Sequence, residues 1–257
     1  MPGQPYYDLA SLPAVGELGS PAPLKAEQLL ERFDRKSVAR TLMETFFLFD
    51  DLVQREAFLA GEIQEARPVV LSVPEVRGES PLPPYLAGFG VDGGEAEDGL
   101  NAPRRAVEVD NLWETYFRHA AGVAERTGSG VLSGWVRSEV GLRNALATAR
   151  ARRLGLDPAD YLVASDLAEG GRDFAATVSD WASAGTPLAG QQVLIQARWA
   201  WLAERDPWFT FTDDELAVYA ARIMLLEHWR RIVEADERRA AGEPVHGASG
   251  NVERVSS

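Results

Sequence analysis

Residues 135–156, WVRSEVGLRNALATARARRLGL, are the stretch that decides the predicted fold. Apolar side chains recur there at helical spacing, at Trp135, Leu142, Leu146 and Ala149, which predicts a helix with one buried face. The same stretch carries Arg137, Arg143, Arg150, Arg152 and Arg153 against a single Glu139. Because arginine on a partly buried helix usually meets a carboxylate, we expect acidic partners elsewhere in the chain or on another protein. The stretch has no nucleophile, metal cluster or phosphate loop, so it predicts a role in assembly.

The composition is that of a folded, acidic protein without cysteine. The chain has 257 residues, 46% of them hydrophobic, and a formal net charge of −13. This charge disfavours nucleic acid as the main ligand, because phosphate neutralisation needs a broad basic surface. No run of about 18 apolar residues predicts a membrane span, and the opening MPGQPYYDLASLP has no secretory-signal pattern. Without cysteines for disulfides or thiolate metal sites, we expect a cytoplasmic location.

Helical periodicity covers most of the chain and predicts a mainly α fold. We expect a single helical domain over residues 1–242 and a disordered tail over residues 243–257. The predicted helices lie at residues 24–36, 37–59, 111–125, 135–155, 166–181, 188–205 and 212–241. Ser37 is the expected N-cap of the second of these helices.

Two later helices also have start signals. Asp110 or Asn111 is the expected cap of the helix that carries the aromatic run LWETYF. Thr212 followed by Glu215 is a capping-box pattern. We expect the last helix to include residues 215–234, where apolar residues recur at helical spacing.

Residues 66–110 interrupt the helical pattern. The segment is rich in proline and glycine, and its run VDGGEAEDG is acidic, which is typical of irregular chain. Between residues 51 and 110, twelve acidic residues stand against five arginines. We expect no ordinary helix across this excursion and interpret it as a solvated insertion, with a regulatory element as the alternative.

Asp50 and Asp51 raise the question of a metal-dependent enzyme. Paired aspartates on a helix hold Mg²⁺ for a diphosphate substrate when they face a cavity with further oxygen ligands. Asp213 and Asp214 partly repeat the pattern, but acidic residues at a helix start are explained by the helix dipole. Such a site needs several carboxylates on facing helices, together with lysine or arginine for the diphosphate, and therefore more ligands than this pair supplies. The enzyme stays an alternative.

Other catalytic patterns are missing from the sequence. The histidines, His119, His228 and His246, lie in separate segments and form no zinc pattern. The chain has no GxSxG motif, phosphate loop or GxGxxG turn between a strand and a helix. The sequence therefore predicts a protein without catalytic activity, cofactor or metal, in which tryptophans fill the core.

Several stretches, taken in order, resemble one family. They are YYDLASLP, METFFLFDDLVQREAFLAG, NLWETYFRHA, SEVGLRNALATARARRLGLDPADYLV and the C-terminal RWAWLAER and WFTFTDDELAVYAARIMLLEHWRRI. The pattern is similar to the C/d-type central-stalk subunits of V-type (A/V-type) ATPases, in the short bacterial branch usually catalogued as a domain of unknown function. The resemblance covers most of the chain except residues 66–110 and the tail. Its motifs are aromatic and helical rather than catalytic.

The resemblance implies a reduced, all-helical bundle that caps the membrane rotor ring and receives the central shaft. The residues it singles out as structural or interface candidates are Tyr116, Phe117, Glu139, Arg143, Asn144, Asp50 and Asp51. An aromatic helix is followed in this family by a helix with an acidic residue, asparagine and arginine. The first five residues match that element, whereas the copy at Asp50 and Asp51 lacks the asparagine. We expect Glu139, Arg143 and Asn144 to form one polar network that orders the neighbouring helices.

We therefore expect a non-catalytic, cytoplasmic and peripheral subunit of a V-type ATPase, acting in proton or other ion transport. Its expected partners are the shaft subunits of the central stalk and the membrane rotor ring. The alternatives are the Mg-dependent enzyme and a helical adaptor unrelated to the ATPase. The enzyme requires further acids around Asp50 and Asp51 in a cavity, whereas the subunit requires structural pairs with arginine.

Overall fold

A computed structural model of the chain describes residues 9–87, 104–168 and 173–241. Over these ranges the chain consists of α-helices and loops without a strand, which confirms the predicted mainly α fold class. The helices are α1 (Ala26–Glu31), α2 (Val38–Leu59), α3 (Val73–Arg77), α4 (Arg104–Thr127), α5 (Gly130–Leu154), α6 (Ala175–Ser183), α7 (Pro187–Glu204) and α8 (Asp213–Ala240). Short 3₁₀ turns lie at Pro84–Leu86, Pro158–Tyr161 and Ser165–Leu167.

Local signals set several helix ends as predicted. The Ser37 hydroxyl accepts a hydrogen bond from the backbone N–H of Arg40 at 3.2 Å and caps α2. Ser129 caps α5 in the same way, so this helix begins at Gly130 and the predicted start at Trp135 is wrong. Helix α5 ends before Gly155, as predicted, and Gly155 has a φ of 70°. Glycine adopts this left-handed backbone without a steric penalty, which explains the sharp stop. Helix α8 includes residues 215–234, as predicted.

The predicted cap at Asp110 or Asn111 is wrong, and the predicted irregular segment over residues 66–110 is wrong in part. Helix α4 begins at Arg104, so Asp110 and Asn111 lie inside the helix and do not cap it. The segment 66–110 also contains α3 and the turn Pro84–Leu86. Its prolines and glycines all precede Arg104, so no helix-breaking residue prevents α4 from starting there. The run VDGGEAEDG and residues 243–257 lie outside the described residues.

A second predicted helix is also divided. Where the sequence predicts a helix over residues 166–181, the chain forms the turn Ser165–Leu167 and then, after the undescribed residues 169–172, helix α6. The predicted capping box of Thr212 and Glu215 is wrong, because Glu215 bonds residues that precede Thr212. Its carboxylate accepts the backbone N–H groups of Phe209 and Phe211 at 3.2 and 2.8 Å.

Aromatic edge contacts join the helices in the core. The ring of Trp135 on α5 lies 5.3 Å from Phe46 and 5.8 Å from Phe49, both on α2. It also meets Trp201 of α7 at 5.7 Å in a T-shaped contact. Trp135 and Trp201 are buried, so three helices share one close-packed aromatic cluster. None of the helices described has an apolar stretch long enough to cross a membrane.

We expect Trp135→Ala to lower the free energy of unfolding by about 4 kcal/mol, because it opens a large cavity in this cluster. Trp208→Ala is the matched control, since Trp208 is 69% exposed, and it should cost less than about 0.5 kcal/mol. Urea denaturation measures both values. Equal losses in the two variants would contradict a core centred on Trp135.

Candidate functional site

Tyr116 and Phe117 lie in the core rather than on a free surface. The Tyr116 hydroxyl donates to the backbone carbonyl of Thr45 on α2 at 3.0 Å. Burial raises the pKa of Tyr116 well above its usual value, so the hydroxyl keeps its proton as a donor. Phe117 packs against Trp113, with ring centroids 5.7 Å apart. Tyr116 therefore bonds α4 to α2, while Phe117 packs against Trp113 of the same helix.

Glu139 forms the most buried ion pair of the candidate residues. Arg198 of α7 donates to both carboxylate oxygens, from Nε to Oε1 and from Nη2 to Oε2, each at 2.9 Å. The side chains are 5% and 12% exposed, respectively. The guanidinium also lies 5.1 Å from the ring centroid of Phe49. A bidentate pair in this setting fixes the distance and orientation of α5 and α7.

The space beside this pair is too small for an organic substrate. A cavity of about 40 Å³ is lined by residues of α5, α6 and α7 together with Asp173 and Phe174. This volume is on the order of a water molecule or two, whereas ligand pockets are typically about 300–1,000 Å³. The surroundings of Glu139 therefore indicate a structural carboxylate.

Arg143 and Asn144 contact other neighbours of α5. Arg143 donates to Asp110 of α4 at 3.2 Å and lies 4.8 Å from the ring centroid of Trp113. The Asn144 amide donates to the carbonyl of Val163 at 3.0 Å and accepts its N–H at 2.9 Å. The prediction of one Glu139–Arg143–Asn144 network is therefore wrong. Glu139 pairs with Arg198 of α7, whereas Arg143 lies over Trp113 and pairs with Asp110, both on α4.

Sequence reasoning missed Arg198, although a signal was present. Arg198 is the only charged residue of α7 before its last residue, Glu204, in the otherwise apolar and amide-rich run PLAGQQVLIQARWAWLAE. A single arginine in such a run has to find a buried carboxylate or reach solvent. Periodicity does not identify which carboxylate, because Glu139 lies 59 residues away.

Asp50 is engaged by side chains of α2 and α8. Arg231 donates to Asp50 Oδ2 at 2.6 Å, and Gln54 Nε2 donates to the same oxygen at 2.9 Å. His228 Nδ1 lies 3.5 Å from Oδ1. This is the arginine pair that the subunit hypothesis expects, and it ties α8 to α2.

Asp51 is engaged by backbone instead. Its Oδ1 accepts the N–H of Val69 at 2.8 Å, and its Oδ2 accepts those of Val70 and Leu71 at 2.7 and 2.8 Å. Burial raises the pKa of Asp51 to about 7, while these hydrogen bonds act in the opposite direction. Asp51 thus holds the loop after α2, since three backbone donors share one carboxylate.

The two aspartates do not converge on a shared cation position. Within the described ranges, no three His, Cys, Asp or Glu side chains are grouped so that they could hold a metal ion. Magnesium at Asp50 would have to displace Arg231, and magnesium at Asp51 would have to displace backbone donors. Asp214 is a cap as well: its Oδ2 accepts the N–H groups of Gly130 and Val131 at the start of α5. This geometry gives the diphosphate-enzyme alternative no support.

The described histidines are packing residues. His228 is buried, and this burial lowers its pKa to about 4, with Asp50 opposing the shift. His119 stacks on Tyr85 with ring centroids 4.8 Å apart, and burial lowers its pKa too. His246 lies outside the described residues. A neutral, buried imidazole contributes to packing and makes folding sensitive to acid.

Two exposed surfaces lie at opposite ends of α5. Asp214 caps the first turn of α5, so the loop before α8, with Trp208 and Phe209, lies near that end. The other end carries exposed Leu154, 71% accessible, about 37 Å away at 1.5 Å per residue. The other exposed residues there include Arg150, Arg152, Arg153, Leu156, Tyr161 and Leu162. One end is therefore aromatic, and the other combines leucine with arginine and with exposed Asp157 and Asp160.

Comparison with protein-family models, with curated proteins and with solved structures finds no match for this chain. The fold and the contacts above describe a helical protein whose acidic motif residues serve to hold helices and loops together.

We expect Arg198→Met to lower the free energy of unfolding by about 3 kcal/mol, because it leaves the Glu139 carboxylate buried and unpaired. Arg143→Met should cost about 1 kcal/mol, since its partner Asp110 is partly exposed. Arg118→Met is the surface control and should change little. Urea denaturation gives the loss in the free energy of unfolding for each variant. Equal losses in the three variants would contradict the predicted order.

The pH dependence of the free energy of unfolding should show the protonation of His228. Its pKa near 4 in the folded protein lies below the ordinary value of 6.5, so the folded state binds this proton more weakly than the unfolded chain. Stability linked to His228 is complete above about pH 6.5 and is lost as the pH falls toward 4. Between about pH 7 and pH 4.5, the parent should lose about 2 kcal/mol relative to His228→Gln. Parallel curves of unfolding free energy against pH would contradict this.

Proposed function

We propose that this chain is a non-catalytic subunit of a V-type ATPase that links the central stalk to the membrane rotor ring on the cytoplasmic side. The observation that carries the proposal is where the resembling stretches fall. Apart from the opening YYDLASLP and short loop segments, they coincide with α2, α4, α5, α7 and α8. Within them, the residues implied by the resemblance bond one element to the next.

A part that transmits torque has to resist shear between its helices. Here Tyr116 bonds α4 to α2, Glu139 pairs α5 with α7, and Asp50 pairs α2 with α8. Sliding one helix past another would break a buried charge pair or leave a buried polar group unsatisfied, which is costly. The close-packed aromatic cluster around Trp135 adds low compressibility. These features suit a rigid coupling element and require no chemistry.

A linking element also needs two separate surfaces. The aromatic end near Trp208 and the leucine–arginine end near Leu154 lie about one length of α5 apart, roughly 37 Å. Their chemistry differs, so two different partners can be distinguished. The two different ends also support the second candidate, a helical adaptor outside the ATPase. Such an adaptor would likewise need two separate surfaces, but for other partners.

Co-purification from native membranes tests the assignment. With an affinity tag on a ring or shaft subunit, we expect this chain to appear in the purified complex together with the other stalk subunits. Its recovery should fall as salt rises if arginines such as Arg152 meet acidic partner surface, because rim charges are screened. Recovery of the other stalk subunits without this chain would contradict the proposal and make the independent adaptor the leading account.

A further inference from the structure

Helix α6 differs from the other described helices in its burial. Each of the others includes at least one buried side chain, whereas none of the nine residues of Ala175–Ser183 is buried. A helix of this length is marginal in water by itself, because isolated helices need about 12–15 residues. Helix α6 therefore depends on the elements that it packs against.

Packing of one ring attaches α6 to its neighbours. The Trp181 ring lies against Gly190 of α7, where an added Cβ would lie 3.3 Å from Trp181 Cδ1. Arg150 of α5 lies over the same ring, 4.9 Å from its centroid. Within the described ranges, residues 175–183 form no ion pair or side-chain hydrogen bond with another helix. Such contacts separate without leaving a buried charge unpaired.

The two ends of α6 are an anchor and a hinge. Phe174, directly before α6, packs on the backbone of Gly141 in α5, where an added Cβ would lie 2.7 Å from Phe174 Cε2. After α6, the chain reaches α7 through Ala184 and Gly185, and an added Cβ at Gly185 would meet nothing within 4 Å. The chain has room to turn there, and glycine permits a change of backbone angles at low cost.

Helix α6 also covers the pair of Glu139 and Arg198. Thr177 of α6 and Phe174 line the small cavity beside this pair, together with the buried Ser138 of α5. Without α6, water would replace one wall of the cavity. Two charges attract each other much more weakly in water than in the protein interior, so the pair would hold α5 and α7 less firmly.

We propose that α6 is a lid that opens by itself over the Glu139–Arg198 pair. In the closed state the pair is shielded and α5 and α7 are held firmly. In the open state the rest of the fold stays intact, while water reaches the pair and loosens the contact between these helices. The lid is a conformational device within the chain and does not rest on the ATPase assignment.

Thiol labelling of single-cysteine variants tests the lid, since the chain has no cysteine of its own. Ser138→Cys places a thiol in the cavity under α6, and Val140→Cys places one at a fully buried core position of the same helix. Each labelling rate is divided by that of the same variant unfolded in urea. We expect the normalised rate of Ser138→Cys to be at least about tenfold higher, because opening of α6 costs less than global unfolding.

Gly141→Ala should favour the open state, because the added Cβ displaces Phe174. It should raise the rate of Ser138→Cys at least about tenfold further. The rate of Val140→Cys should rise by less than about threefold, since alanine favours helix α5 itself. Gly122→Ala is the matched control, a glycine inside α4 where the added Cβ meets only the end of the Arg126 side chain. It should leave the rate of Ser138→Cys unchanged.

Three labelling results would overturn the proposal. Equal normalised rates for Ser138→Cys and Val140→Cys would show that α6 opens only when the whole chain unfolds. A rate for Ser138→Cys that Gly141→Ala leaves unchanged would show that Phe174 does not anchor a lid. A parallel rise at both positions would show that Gly141 supports the core as a whole.

Hydrogen exchange of the unsubstituted protein gives an independent measure. Mass spectrometry should show the amides of α6 exchanging at least about a hundredfold faster than those of residues 136–142 in α5, because local opening exposes α6 alone. Equal protection of the two segments would contradict the lid, even where a cysteine variant fails to fold.

Discussion

The bidentate pair between Glu139 of α5 and Arg198 of α7 is the interaction on which the helix arrangement depends most. Both charges are removed from water, so each is tolerable only while the other is in place. The guanidinium also covers the ring of Phe49, which brings α2 into the same contact. Trp201 lines the small cavity beside this pair and meets Trp135 in a T-shaped ring contact. Three helices are thereby held in one relative position.

The acidic residues of this chain divide into two groups by location. Those inside, such as Asp50 and Asp51, are bound by arginine or by backbone N–H groups and hold α8 and the loop after α2. Those outside, such as Glu204, are largely exposed to solvent and pair with arginines at the surface. A buried carboxylate fixes structure because it is costly to separate from its donor, and an exposed one acts on partners through a field that salt screens. The buried acids of this chain therefore contribute to its rigidity, whereas the exposed ones contribute mainly to its surface charge.

The sequence predicts the elements whose determinants are local. Helices α2, α5 and α8 were expected because a cap, a glycine stop or apolar periodicity lies within the helix or next to it. The predicted start of α4 at Asp110 or Asn111 is wrong because the prolines and glycines of the preceding segment end at Pro103, and nothing after them prevents the helix from beginning at Arg104. Site contacts were harder to predict. Glu139 was expected to be paired, but Arg198 is remote in sequence, and the partners of Asp51 are backbone groups with no side-chain signature. Such contacts depend on tertiary packing.

The most direct test of the account is a double-mutant cycle on the central pair. Glu139→Gln, Arg198→Met and the combined variant are compared with the parent by urea denaturation. If the pair holds α5 and α7 together, the double variant should lose about 2 kcal/mol less than the sum of the single losses, because the second change removes a charge that the first left unpaired. Additive losses within about 0.5 kcal/mol would show that the two side chains act independently and would contradict the account.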